Sequence, residues 1–158
     1  MAMFWMTWTA QGPLHWDQNK LQAMIRKFRS AGTVTEPWRI IRRDATKGDI
    51  AIAFKQGRGP RGIFGVGTIL NAPCLRPELF TKPGQNHRVA NVQFERLVDP
   101  MAGEMLVTLD ALLKKGFPLP LINARASGFS VPEPWPARLL AEIDRALSLS
   151  RRNRRLAI

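Results

Sequence analysis

The chain has no tyrosine, one cysteine, two histidines and only 12 carboxylates in 158 residues. Each scarcity excludes something. Cys74 stands alone, so no intrachain disulfide can form, and a reducing, cytoplasmic compartment is the default expectation. His15, His87 and Cys74 are too few to make a convincing zinc site, and no metal or other cofactor is expected. The carboxylates are scattered, with no pair suited to acid–base chemistry, and no phosphate-binding P-loop pattern occurs. An enzyme is therefore not expected. No apolar run approaches the ~20 residues a membrane span requires, so a membrane partner is not expected either. The N-terminus lacks the basic and apolar regions of a signal peptide.

Cations are abundant. There are 24 Lys and Arg, and the formal net charge is +12. The excess is localised. Residues 18–62 hold eleven Lys/Arg against three Asp/Glu, whereas residues 63–150 hold nine against eight. The last eight residues carry four arginines and no acid. A concentrated positive field implies a polyanionic partner, most often nucleic acid.

The length suits one domain with a proper core, expected over residues 1–150, followed by a basic tail over 151–158. Ala2 to Thr9 is apolar and aromatic and reads as a first strand. Asp17 is positioned to cap a helix over about Gln18 to Ala31, with Leu21, Met24, Ile25 and Phe28 forming one apolar stripe and Gly32 ending it. Arg26, Lys27 and Arg29 fall largely off that stripe. Trp38 to Arg43 reads as a short extended segment, 71–86 as a long excursion, and His87 to Val98 as a strand. Thr108 can cap a short helix to about Lys115. The segment Phe117-Pro118-Leu119-Pro120-Leu121 reads as non-helical, and 137–149 as a last helix opened by Pro136. Arg151 to Arg155 reads as a frayed end. The fold class expected is α+β, a curved mixed sheet or barrel flanked by short helices.

Between Gly48 and Leu70 the chain reads as strand, glycine-rich turn, strand. Ile50, Ile52 and Phe54 alternate with Ala51, Ala53 and Lys55, the period of a half-buried strand. Gln56 to Gly62 then carries three glycines, one proline and two arginines in seven residues. Gly65 and Gly67 read as places where a sheet bends or is closely approached. Asp49 reads as a turn cap.

Five tryptophans remain to be explained. Trp5 and Trp135 read as core residues. Trp8, Trp16 and Trp38 sit at element ends beside breakers, where pocket rims are common. Aromatic faces beside arginines suit an extruded or single-stranded base, by stacking worth ~1–3 kcal/mol per base with charge on the backbone. Packing alone is the alternative for each ring.

The succession Trp8-Thr9, Trp16-Asp17, Trp38-Arg39-Ile40, Gly48 to Gly57, Pro60-Arg61-Gly62-Ile63, Gly65-Val66-Gly67-Thr68 and Ala126-Ser127-Gly128 resembles the EVE domain, a PUA-like family related to YTH and ASCH domains. The likeness spans nearly the whole chain. It implies a small PUA-like barrel flanked by helices, and a reader that flips a modified base, such as 5-methylcytosine, into an aromatic pocket. On this chain that pocket comprises Trp8, Thr9, Trp16, Trp38, Arg39, Phe64 and Ser127. Thr9 and Arg39 depart from many members, which carry asparagine and serine there. The expected phosphate contacts are Arg26, Lys27, Arg29, Arg42, Arg43, Gln56, Arg58 and Arg61. The expected partner is DNA. RNA binding, a small-molecule or nucleotide pocket, and an adaptor docking through its basic tail are the alternatives. Cleavage would fall to an effector nuclease encoded separately.

Overall fold

The computed structural model describes residues 1–10, 17–79 and 87–157. Eight strands form one mixed sheet: β1 (Met3–Thr9), β2 (Val34–Arg39), β3 (Ile50–Gln56), β4 (Gly62–Ile69), β5 (Cys74–Leu75), β6 (Arg88–Leu97), β7 (Val107–Thr108) and β8 (Phe129–Ser130). The sheet order is β2-β6-β4-β3-β1-β8, with β5 on β6 and β7 on β4. Among the described residues only the β1–β3 pair is parallel. Among the described residues the α-helices are α1 (Gln18–Ala31), α2 (Leu109–Lys114), α3 (Leu119–Ile122) and α4 (Trp135–Leu156). The arrangement is α+β, a mixed sheet flanked by short helices.

Helix α1 starts and stops where its local chemistry dictates. The Asp17 carboxylate accepts from the Lys20 amide at 2.8 Å, and Gly32 adopts φ 80° while its amide returns to the Phe28 carbonyl. That cap geometry satisfies amide and carbonyl groups the helix leaves open at its ends. Leu21, Met24 and Ile25 are buried, each worth about 1.5–3 kcal/mol relative to exposure. Lys20 pairs with the buried Glu36 of β2 at 3.1 Å and helps tie α1 to the sheet.

The sheet separates two cores. On one face, Phe4, Met6 and Trp8 of β1, Ala51 and Ala53 of β3, Phe64, Trp38 and Phe94 pack beneath α1. On the other, Met3, Trp5, Ile52, Phe54 and Ile63 pack against Leu112, Phe117, Ile122, Leu139 and Ile143 from the remaining helices. Strand β3 is therefore covered on both faces, including Lys55, and is not the half-buried strand its alternation predicts. Ladder pairing on both edges and side-chain cover on both faces override the period-two signal.

The register of β4 against β6 shifts between Val66 and Gly67. A Cβ at Gly67 would stand 2.5 Å from the Gln93 carbonyl oxygen, so the close approach expected there is real. Asp49 caps its turn, accepting from the Ala2 and Thr46 amides at 3.0 and 2.8 Å. Two local expectations fail. Leu119–Ile122 is a short helix, because Pro118 and Pro120 occupy its start, where no intrahelical amide is needed. Helix α4 continues through Arg151, Arg152, Arg154 and Arg155 to Leu156, where a frayed end was expected. The run from Ala137 onward holds no further proline or glycine to stop it.

Candidate nucleic-acid interface

The two outer strands of the sheet, β2 and β8, approach each other through the segments beside them. The Ile41 amide, just beyond β2, donates to the Ser127 carbonyl at 2.9 Å, just before β8. Gly128, at φ 90°, is the close point: a Cβ there would lie 2.5 Å from Ile40 Cγ1. Two of the expected base-site residues, Trp38 and Ser127, meet at this seam. The Trp38 indole N–H donates to Ser127 Oγ at 3.1 Å, and Ser127 Oγ donates to Met6 Sδ at 3.7 Å. Thr7 Oγ1 anchors the neighbouring turn by donating to the Ala126 carbonyl at 3.1 Å.

Phe64 lies between the two tryptophans. Its ring centroid is 6.0 Å from Trp8, edge-on, and 6.4 Å from Trp38, which lies 5.5 Å from Phe94. Trp8, Phe64, Trp38 and Ser127 thus converge from four separate segments. All four are buried: Trp8 is 1 % exposed, Phe64 0 % and Trp38 4 %. Thr9 and Arg39, at the ends of β1 and β2, are half-buried. Burial pulls the Arg39 guanidinium below its ordinary range, and His87 is lowered by burial first and then by the Arg39 charge. Trp16 lies outside the described residues, as does His15.

The expected phosphate contacts divide into two groups. Arg26 and Lys27 on α1, Arg43 after β2 and Arg58 in the β3–β4 turn are exposed, and no side-chain partner is found for them among the described residues. Arg29 stands 3.9 Å from Glu104, and Arg42 makes a two-point contact with Asp44 at 2.9 and 2.7 Å. That exposed pair raises Arg42 and lowers Asp44.

Gln56 and Arg61 do something else. The Gln56 amide group donates to the Ile122 and Ala124 carbonyls, the latter at 3.1 Å. Arg61 Nη2 donates to Gln56 Oε1 and, at 2.8 Å, to the Ile122 carbonyl. The guanidinium carbon also sits 5.8 Å from the centroid of the Phe54 ring. These two side chains tie the end of α3 to the end of β3 and β4. Both side chains are half-buried, held by a carbonyl more than sixty positions away.

Sequence reading passed over Lys55. It is 2 % exposed, on the same sheet face as Trp8, its register partner in the parallel ladder. A lysine in an alternating pattern reads as a solvent-facing position, and only the three-dimensional cover reveals otherwise.

No known family profile matches the chain, and no curated protein matches it in sequence. Solved structures do match in fold. A hypothetical protein from Leishmania major aligns with a TM-score of 0.61 at 15% identity, over 92% of this chain and 96% of that one. A Pseudomonas syringae protein aligns at 0.58 and 17% identity, over 89% and 99%. Human THYN1, solved in complex with DNA containing 5-methylcytosine, aligns at 0.52 and 17% identity, over 94% and 97%. At these identities the likeness establishes the shared fold.

Proposed function

We propose that this protein is an EVE-type reader that binds nucleic acid and recognises a modified base in DNA, without catalysis of its own. The observation that carries this reading is the convergence of Trp8, Phe64 and Trp38 beside Ser127 at the sheet seam. The fold shared with human THYN1, whose complex contains 5-methylcytosine DNA, and the net charge of +12 support it.

The mechanism follows from burial. A base flipped from its stack loses a few kcal/mol, offset here by aromatic contact and by phosphate contacts to Arg26, Lys27, Arg43 and Arg58. Because Trp8 and Phe64 have almost no exposed surface, a ligand must uncover them as it enters. Binding therefore includes a conformational cost. A methyl group buried against these rings adds about 0.8 kcal/mol, roughly a four-fold preference. Any cutting of the recognised DNA falls to a separate effector.

The test is an anisotropy titration at physiological salt with matched oligonucleotides carrying cytosine, 5-methylcytosine or 5-hydroxymethylcytosine, and an RNA of the same sequence. Tighter binding of a modified DNA is expected. Equal affinities across the DNA set would overturn the reader claim, and preference for RNA would move the function to RNA binding.

A further inference from the structure

Lys55 is a buried cation without a counter-charge. Among the described residues no carboxylate pairs with it, and its ammonium makes one hydrogen bond, to the Arg58 carbonyl at 2.6 Å. An ammonium has three donors, so two remain unused. Taking such a group out of water without an opposite charge is unfavourable, which makes a buried lysine of this kind a candidate for a functional role. Burial, followed by repulsion from Arg61, pulls its pKa below the ordinary lysine range.

Its surroundings are suited to an anion. The ammonium lies beneath the β3–β4 turn: a Cβ on Gly59 would be 3.8 Å from Lys55 Nζ. Gly57 and Gly59 take φ of 85° and 79°. The Gly57, Arg58 and Gly59 amides donate to no carbonyl among the described residues. The exposed Arg58 side chain projects from the same turn. Successive free amides next to cations make an anion-binding concavity.

We propose that Lys55, the amides of Gly57 to Gly59 and Arg58 form a phosphate site at the edge of the aromatic cluster. The inference rests on the nucleic-acid reading only for the source of the phosphate, a backbone phosphodiester next to the flipped base. Lys55 and Trp8 are register partners in the β1–β3 ladder, which sets the turn and the aromatic cluster on neighbouring parts of one sheet.

The experiment uses the whole chain with 15N-labelled lysine, following the Lys55 ammonium resonance by NMR. Inorganic phosphate is titrated first. A short single-stranded DNA follows, and then the same DNA with neutral methylphosphonate linkages. A saturable Lys55 shift with phosphate and with DNA, lost with the neutral backbone, is expected. The substitution Lys55→Met, close in volume, should weaken phosphate and DNA binding about ten-fold while leaving the unfolding temperature unchanged or higher. A Lys55 resonance unmoved by phosphate and DNA overturns the site. So does Lys55→Met that binds like the parent. A shift with phosphate but not DNA overturns the phosphodiester source. Equal affinity for methylated and unmethylated DNA with the Lys55 shift intact would end the reader proposal and leave this site standing.

Discussion

The Trp38 indole N–H donates to Ser127 Oγ at 3.1 Å, joining residues 89 positions apart across the seam of the sheet. One serine thereby satisfies a buried tryptophan, contacts Met6 through its own hydroxyl, and accepts the Ile41 amide on its carbonyl. The candidate base site and the closure of the fold share these atoms. Changes made to probe function will therefore also register in stability, and the two must be measured together.

Replacing Ser127 with alanine removes a hydroxyl that accepts from the Trp38 N–H at 3.1 Å. Loss of a hydrogen bond of this kind costs about 0.5–1.5 kcal/mol. For a domain of this size that lowers Tm by roughly 2–4 °C per kcal/mol. Thermal unfolding of Ser127→Ala checks it, and an unchanged Tm would show that the bond contributes nothing to the fold.

Two glycines with positive φ should respond very differently to alanine. At Gly128 a Cβ would meet Ile40 Cα and the Ile41 amide nitrogen at 2.7 Å each, both main-chain atoms. At Gly103, φ 78°, a Cβ would meet nothing within 4 Å. Gly103→Ala should cost about 1–2 kcal/mol from backbone strain alone. Gly128→Ala adds overpacking of about 1–3 kcal/mol and opens the seam. Chemical denaturation of both variants separates the terms; equal losses would mean the seam yields freely.

What was legible in the sequence was local. The Asp17 cap, the Gly32 stop, the apolar stripe of α1 and the strand–turn–strand around Gly57 depend on neighbours within a few positions. The aromatic cluster was legible only as a set of residue types. Its assembly depends on the β1–β3 pairing and the Ser127 seam, which no periodicity encodes. Lys55 was invisible for the same reason, and so was the use of Gln56 and Arg61 to hold the Ile122 carbonyl. Pro118 and Pro120 misled because a helix tolerates proline in its first turn.

The division among the cations can be measured. The double substitution Arg26→Ala/Lys27→Ala should leave stability within ~0.5 kcal/mol, since both side chains are exposed. If both contact phosphates, the slope of log affinity against log salt on duplex DNA should fall by about two. Arg61→Ala should act in the opposite way, lowering the unfolding midpoint with little change in slope, because its guanidinium holds protein carbonyls. A reversed pattern would return Arg61 to the interface.

His87 gives a pH signature. Burial, then the Arg39 charge, lowers its pKa below 6.5. The unfolded chain thus binds the proton more readily. Stability is undiminished above about pH 6.5 and declines as pH falls through that value toward the folded pKa, where the decline from this group levels off. An NMR titration should place the His87 midpoint below 6.5, and His87→Gln should flatten the acid side of the stability profile. A midpoint above 6.5 would mean that a negative charge, not Arg39, governs the site.

Substitution at Trp38 is the sharpest probe of base reading, provided it is the right substitution. Trp38→Ala removes a ring that is 4 % exposed and should cost about 3–5 kcal/mol, so lost binding would only report lost structure. Trp38→Phe keeps a ring against Phe64 and Phe94 while reducing the stacking face and deleting the N–H. Stacking is worth ~1–3 kcal/mol per base, and part of that should disappear. The expected result is a smaller ratio of affinities between modified and unmodified DNA, with the salt slope intact, because the proposed phosphate contacts do not involve the Trp38 ring. An unchanged ratio in a folded Trp38→Phe protein would move base recognition away from this ring and leave Trp38 as part of the seam alone.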